Sequence, residues 1–161
     1  MNRPVFIYNH SMSVIRITKE FNFEMAHALW NYNGLCKNIH GHSYKLFVTI
    51  IGKPANDPAS QNNGMLVDFS ELKSLVKENV IGFYDHSLVL FKNSEPELLQ
   101  NVSNMFEKFH IVDFQPTCEN LVLDIANRIL SKLPAELKLH SIRLNETATA
   151  YAEWHADDNP G

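Results

Sequence analysis

The hydrophobic pattern of the chain opens with apolar and polar residues that alternate between residues 15 and 24. This period of two predicts a half-buried β-strand that runs on to His27. A second strand is predicted over residues 43–52, where β-branched and aromatic residues predominate. Because a turn-forming cluster lies between them at residues 31–34, the two strands are expected to flank one hairpin-like connection. The alternating apolar positions are Ile15, Ile17, Phe21 and Phe23.

Apolar residues with helical spacing mark three later stretches, of which the first two are predicted to be helices. The first begins after Asp68, which forms a capping-box pattern with Glu71. The second has Thr117 as its expected N-cap and ends before Pro134. The third lies within residues 91–114, and we interpret it as core or subunit-packing surface. The stripes are Leu72, Leu75, Val76 and Val80, then Leu121, Ile125, Ile129, Leu130 and Leu133, and, for the third, Leu98, Leu99, Val102, Met105, Phe106 and Phe109.

Two more strand-like runs, over residues 139–146 and 148–154, complete the pattern. The predicted order is strand, strand, helix, helix, strand, strand, which describes an α+β fold. A length of 161 residues with 45% apolar content suits a single domain with one core, here residues 1–161. Its ends, residues 1–13 and 156–161, are expected to be loosely ordered.

Composition and charge exclude several classes of function. The net charge of −4 gives no overall attraction to phosphate backbones, so we expect neither nucleic-acid binding nor membrane binding. Two cysteines, Cys36 and Cys118, are too few for a secreted disulfide scaffold of this length. Residues 1–13 lack the apolar core of a signal peptide, and the chain has no apolar stretch of membrane-spanning length. These features predict a soluble cytoplasmic protein.

Three histidines stand close together in the sequence and suggest a metal site. His40 and His42 are separated by one glycine, so on a strand they project from the same face. A bare pair of this kind is as readily a polar surface pair. His27, at the end of the neighbouring strand, favours a metal site, because three imidazoles and one open position are the ligands of a catalytic Zn²⁺. The thiol of Cys36 could close that site or work beside it.

Six short motifs follow one another along the chain: residues 21–27, residues 36–44, residues 64–72, Asp85-His86, residues 116–120 and Glu146-Thr147. In this order they resemble the motifs of the 6-pyruvoyltetrahydropterin synthase superfamily. Three residues separate Cys36 from His40, which is similar to the spacing in the bacterial 6-carboxy-5,6,7,8-tetrahydropterin synthases of queuosine biosynthesis.

The resemblance implies a tunnel fold, in which a four-stranded antiparallel sheet carries two helices between its second and third strands. Such chains form a trimeric β-barrel, and two trimers pair into a homo-hexamer. The implied substrate is 7,8-dihydroneopterin triphosphate, a reduced pterin whose conversion to the 6-carboxy product releases triphosphate and acetaldehyde. The implied cofactor is Zn²⁺ held by His27, His40 and His42, which would act as a Lewis acid on the side-chain oxygens.

The resemblance also assigns catalytic roles. Cys36 would be the proton acceptor, since a thiol near a dication is readily ionised; a small buried apolar role is the alternative. Asp85 and His86 would form the partner acid/base pair, with a surface loop as the alternative. Glu146 would join the charge relay and, through its carboxylate, also bind the N–H groups of the pterin edge.

Two residues at the start of the second helix are further candidates for binding the substrate, namely Glu119 and Thr117. A carboxylate at Glu119 could accept two hydrogen bonds from the pterin edge. The alternative is that Glu119 stabilises the helix dipole, as acidic residues near a helix N-terminus commonly do.

Two alternatives to the carboxy-forming enzyme remain open from the sequence. One is a pyruvoyl-forming pterin synthase, because the product is inferred from one spacer length. The other is a catalytically idle oligomer that zinc stabilises. The presence of Cys36 argues against the idle oligomer, because three histidines and water would suffice for a structural ion.

Overall fold

Two long antiparallel strands form the centre of the fold. The computed structural model describes residues 13–160. Strand β1 spans Ile15–His27 and strand β2 spans His40–Gly52. They pair along their whole length, from Ile15 opposite Gly52 to His27 opposite His40. The alternation of the sequence therefore predicted this hairpin correctly, although β2 begins three residues earlier than expected.

The sheet has six strands, which corrects the expected four. Strands β3 (Ser87–Phe91) and β4 (Phe109–Val112) lie on one side of β1, and β5 (Lys138–Asn145) and β6 (Tyr151–His155) lie beyond β2. The strand order is β4-β3-β1-β2-β5-β6. Strands β1, β2, β5 and β6 are antiparallel as expected, whereas β3 is parallel to both β1 and β4.

The helices confirm both predicted N-caps and add one helix that was not predicted. Helix α1 (Phe69–Val76) continues through a π-helical segment, Lys77–Ile81, into the short α2 (Gly82–Tyr84). Helix α3 (Pro96–Met105) lies between β3 and β4, and α4 (Cys118–Leu130) precedes β5. The caps are Asp68, which accepts a hydrogen bond from the Ser70 N–H at 2.7 Å, and Thr117, which accepts one from the Asn120 N–H at 3.4 Å.

The main core covers one face of the β1–β2 hairpin, and a smaller cluster that includes α3 residues packs at β3. Alternate residues of β1 and β2 pack with β5 and with helices α1 and α4, and Leu46, Ile50 and Leu144 are fully buried there. The opposite face carries polar pairs, such as the hydroxyls of Thr18 and Thr49 at 2.8 Å. The buried face provides most of the hydrophobic stabilisation. The three histidines lie on this buried face, where β1 ends and β2 begins.

The C-terminal end of the chain has more regular structure than the loose order expected from the sequence. The segment Ala156–Asp158 forms a 3₁₀ turn, and the Asn159 side chain donates to the His155 carbonyl at 2.8 Å. Ala156 packs against the core, which explains why order continues beyond 155. Residues 1–12 and 161 lie outside the described residues, so the expectation for the N-terminal end stays a prediction. Within residues 13–160, no helix has the length and hydropathy to cross a membrane.

Candidate metal centre

The register of the hairpin brings the three histidines together. His27 ends β1 directly opposite His40, which begins β2, and His42 lies two residues further along the same face. Because alternate residues of a strand share a face, all three rings project toward the core. His27 is only 2% exposed, while His40 and His42 are half-buried. The sequence prediction of a three-histidine cluster is confirmed.

The ring nitrogens of the three histidines lie close enough together to hold a metal ion. One nitrogen from each ring lies within 4.8 Å of the other two. The Nε2 atoms of His27 and His40 are 3.2 Å apart. In a tetrahedral site with Zn–N bonds of about 2.0–2.1 Å, two ligand nitrogens are separated by about 3.3 Å. The His27–His40 pair therefore has the spacing of two zinc ligands, and the three rings together form a candidate metal site.

Backbone carbonyls decide which nitrogen of each ring faces the centre. The Nδ1–H of His27 donates to the Pro116 carbonyl at 2.6 Å, and the Nδ1–H of His40 donates to the Asn38 carbonyl at 2.8 Å. A carbonyl oxygen only accepts, so the proton lies on Nδ1 and the Nε2 lone pairs point at each other. A shared proton or a metal ion would satisfy both lone pairs at this separation. Burial lowers the pKa of His27, which keeps its imidazole neutral and able to bind a metal.

A carboxylate and a tyrosine complete the inner wall of the site. Glu146, the first residue after β5, places Oε1 3.8 Å from the His27 Nε2 and 3.9 Å from the His42 Nε2. The buried Tyr44 hydroxyl donates to the same oxygen at 3.3 Å. Burial, with the Glu146 charge next in importance, raises the pKa of Tyr44, so the hydroxyl stays protonated. Tyr44 was not predicted as a site residue, although its spacing from His40 and His42 places it on their face.

The two cysteines occupy different environments. Cys36 lies half-buried in a 3₁₀ turn, Leu35–Lys37, and its carbonyl accepts from the Leu29 N–H at 2.9 Å. Its sulfur does not belong to the group of converging ligand atoms found among residues 13–160. The structure therefore does not support a thiol that closes the site, and a role for Cys36 beside the site stays a prediction. Cys118 is buried, and burial raises the pKa of its thiol to about 11.

Asp85 and His86 are in direct contact with each other. The His86 Nδ1 lies 3.0 Å from the Asp85 Oδ1, and the His86 ring is 78% exposed. The pair is anchored to β1, because Asp85 also accepts from the Glu24 N–H at 3.0 Å. His86 has φ +58°, the left-handed backbone that turns its ring back to its neighbour. Burial alone would raise the pKa of Asp85, but these hydrogen bonds hold it below its usual value.

This pair faces away from the three histidines. His86 lines a shallow pocket of about 430 Å³ together with Glu24, Ser43 and Lys108. Glu24 and Ser43 alternate out of phase with the buried residues of β1 and β2, so their side chains lie on the opposite face of the sheet. His42 borders the pocket as well. Within residues 13–160, no hydrogen bond or ion pair joins Asp85 or His86 to the histidine cluster.

Thr117 and Glu119, the two candidate substrate-binding residues at the start of α4, have different surroundings. The Thr117 hydroxyl is engaged as the N-cap of the helix, which explains its presence without a ligand. Glu119 is exposed in the first turn, where its carboxylate is free to meet a ligand from outside. The Pro116 carbonyl, directly before the cap, was missed as a site group because every residue carries a carbonyl and its sequence gives no sign of its use.

Comparisons with known proteins agree with this geometry. A family model described as 6-pyruvoyl tetrahydropterin synthase matches residues 16–157. The 6-carboxy-5,6,7,8-tetrahydropterin synthase of Haemophilus influenzae is 37% identical over 145 residues, which covers 88% of this chain and 99% of the relative. The enzyme of the same name from Aquifex aeolicus is 33% identical and covers 86% of this chain and 96% of the relative.

Solved structures share the fold. An uncharacterized protein from Wolinella succinogenes matches with a TM-score of 0.74 and 20% identity, covering 89% of this chain and 98% of that one. The 6-pyruvoyl tetrahydropterin synthase of Caenorhabditis elegans matches with a TM-score of 0.66 and 21% identity, covering 90% and 97%. These likenesses confirm the α+β tunnel-fold class. With the family match over most of its length, the chain belongs to the 6-pyruvoyl tetrahydropterin synthase family and is an enzyme of the pterin synthase type, a lyase.

Proposed function

We propose that this chain is a zinc-dependent 6-carboxy-5,6,7,8-tetrahydropterin synthase that acts on 7,8-dihydroneopterin triphosphate in queuosine biosynthesis. The observation that carries the proposal is the convergence of the His27, His40 and His42 nitrogens within 4.8 Å, with two tautomers fixed by carbonyls. Two relatives that span most of the chain carry that enzyme name. The three-residue spacer between Cys36 and His40 supports the carboxy-forming branch.

His27, His40 and His42 would hold the zinc ion. When bound, the ion supplies a Lewis acid that polarises the side-chain oxygens of the pterin. The chain itself keeps the ligands neutral by burying His27 and orients two of the rings through backbone carbonyls. Glu146, held by Tyr44, places a negative charge beside this centre, where it can accept a proton or a hydrogen bond from the substrate.

Cys36 would take the proton from the substrate carbon next to the ring. It lies on the turn that leads into His40, and its side chain is half-buried rather than sealed in the core. Cys118 is a poor candidate for this role, because a thiol whose pKa is raised to about 11 is protonated at neutral pH. The two thiols therefore have different expected reactivities.

Asp85 and His86 would serve the metal centre of a neighbouring chain. The pocket that His86 lines lies mainly on the face of the sheet opposite the histidine rings, which supports a site shared between two chains. The strand edges support an assembly: β3 pairs with β1 only at Met25–His27, which leaves the earlier part of β1 without a partner on that side within residues 13–160. The outer edge of β6 is also open there. Pairing of such edges would close a trimeric barrel, and a hexamer would follow from two trimers.

Glu119 would bind the pterin ring from its exposed position in α4, with Thr117 fixing the start of that helix. A carboxylate matches the neighbouring N–H groups of the pterin edge in a two-bond contact.

Product identification tests the proposal most directly. Incubation of the zinc-loaded protein with 7,8-dihydroneopterin triphosphate should yield 6-carboxy-5,6,7,8-tetrahydropterin, triphosphate and acetaldehyde, measured by mass spectrometry and aldehyde trapping. His42→Ala should lose both metal and turnover, whereas His155→Ala, at the partly buried end of β6 and outside the ligand cluster, should keep both. A pyruvoyl product without acetaldehyde would assign the chain to the pyruvoyl-forming branch. Full zinc occupancy in the parent without either product would favour the idle oligomer.

A further inference from the structure

The side chain of Gln115 joins two distant segments of the backbone next to the metal centre. Its Oε1 accepts from the Trp30 N–H at 3.1 Å, and its Nε2 donates to the Trp30 carbonyl at 2.7 Å. One amide thus satisfies both main-chain groups of Trp30, as a neighbouring strand would. Trp30 lies three residues beyond His27, so this contact fixes the chain where it leaves the metal ligand.

The backbone of Gln115 is fixed as well. Its carbonyl accepts from the Thr117 N–H at 2.8 Å and from the Asn120 Nδ2 at 2.9 Å, which ties it to the first turn of α4. Proline at position 116 further limits Gln115 to an extended backbone. The short connection between β4 and α4 is therefore held at one point by Trp30 and at another by the helix.

Between these two fixed points lies the carbonyl that orients His27. Pro116 is buried, and its carbonyl accepts from the His27 Nδ1–H at 2.6 Å. A carbonyl that shifts by a fraction of an ångström changes both the direction of this bond and the aim of Nε2. Groups that hold a metal-binding histidine through its second nitrogen commonly change metal affinity when they are altered.

We propose that Gln115 is a positioning residue for the metal centre: through its paired hydrogen bonds to Trp30 it sets the Pro116 carbonyl that aims the His27 ring. The inference rests on the proposed metal site. It extends that site to a residue that is not itself a metal ligand. Gln115 would set the affinity of the site for the ion and the coordination geometry, rather than take part in the chemistry.

The test compares zinc affinity in the full-length chain with that of two variants. Gln115→Met keeps the size of the side chain and removes both hydrogen bonds, whereas Gln115→Glu keeps an acceptor for the Trp30 N–H and loses the donor. Gln100→Met is the matched control, because Gln100 is exposed on α3 and bonds to Ser103 and Asn104 of the same helix. Metal-free protein is titrated with Zn²⁺ against a chromophoric chelator, and with Co²⁺ while its visible absorption is recorded.

Gln115→Met should bind Zn²⁺ about tenfold or more weakly than the parent, with altered Co²⁺ bands, and Gln115→Glu should also bind more weakly. Gln100→Met should match the parent. A purely structural glutamine would lower the melting temperature of the metal-free protein and leave the affinity and the bands unchanged. If both Gln115 variants bind Zn²⁺ as tightly as Gln100→Met, the inference is wrong, and if Gln115→Met does not fold, Gln115→Glu decides alone. If the parent itself binds no Zn²⁺, the metal site fails and the inference falls with it.

Discussion

At the scale of single residues, the metal centre is specified partly by side chains and partly by main-chain carbonyls. The alternation of His40 and His42, with His27 at the end of the neighbouring strand, was sufficient to predict the cluster from sequence. The carbonyls of Pro116 and Asn38 were not predictable in this way. The use of the Pro116 carbonyl depends on where a loop 89 residues from His27 lies in space, and that of the Asn38 carbonyl depends on the local turn of the backbone before His40. The pattern of side chains therefore gives the ligands, and the fold gives their orientation.

Replacement of Cys36 separates chemistry from metal binding. Cys36→Ala removes the proposed proton acceptor and leaves the three histidines in place, so kcat should fall by about 10²-fold or more while zinc content is unchanged. Steady-state kinetics and metal analysis measure the two quantities. Cys118→Ala is the control, since that thiol is buried and protonated, and it should keep kcat near the parent value. Near-normal turnover in Cys36→Ala would remove Cys36 from the mechanism.

Tyr44 tests the position of the Glu146 carboxylate. Tyr44→Phe removes the hydroxyl that donates to Glu146 at 3.3 Å and keeps the buried ring. A hydrogen bond to a charged group contributes about 1.5–3 kcal/mol, so we expect kcat/KM to fall by about tenfold or more with zinc retained. Tyr151→Phe, on the exposed β6, should have no such effect. Equal losses in the two variants would show that the hydrogen bond to Glu146 has no specific role.

At the scale of helices and strands, local signals predicted the elements that are defined locally. Asp68 and Thr117 were expected N-caps, and both accept a backbone hydrogen bond at a helix start. Strand β3 was missed because Leu88, Val89 and Leu90 form a continuous buried run without alternation. Phe109, which begins β4, was assigned to a helical stripe. The parallel pairing of β3 with β1 and β4 depends on packing between segments that are distant in sequence, and a local pattern does not predict such packing.

Strand β4 carries a histidine whose protonation should affect stability. The His110 ring stacks on Phe83 at 3.6 Å, and its Nε2–H donates to the Phe83 carbonyl at 2.8 Å. The guanidinium of Arg128 lies 3.7 Å from the same Phe83 ring. Burial lowers the pKa of His110, and the charges of Lys108 and Arg128 lower it further, against the opposing effect of the hydrogen bond.

The free energy of unfolding should therefore decrease on acidification. The folded state keeps His110 neutral to a lower pH than the unfolded chain does, so below about pH 6.5 the unfolded state binds more protons and is favoured. His27, whose pKa is also lowered, acts in the same direction in metal-free protein. His110→Gln removes one of the two contributions, so urea unfolding of the metal-free variant at about pH 7.5 and about pH 5.5 should show a smaller loss than in the parent. An equal loss would show that His110 does not titrate differently on folding.

At the scale of the whole molecule, the order of the motifs predicted the family, but not which face of the sheet each catalytic group would occupy. The sequence places Asp85 and His86 in one motif and the histidines in two others, and it carries no information on their separation. The structure puts them on opposite faces because β3 joins β1 in parallel and brings the pair to the Glu24 side. If Asp85 and His86 act with the histidines, as we propose, a second chain must supply one of the two groups.

Mixed oligomers test that requirement. His42→Ala lacks the metal centre and His86→Ala lacks the exposed imidazole, so each variant alone should be inactive, while sizing should still show a trimer or hexamer. In oligomers formed from equal amounts of both, a site between two chains is intact when a His86→Ala chain supplies the histidines and a His42→Ala chain supplies Asp85 and His86. Random mixing makes about one quarter of the sites intact, so about one quarter of the parent activity should return. Mixing His42→Ala with His40→Ala is the control, since both changes lie in the same metal centre and no intact site can form. Absence of recovery in the first mixture, or a monomer on sizing, would place the whole catalytic set within one chain.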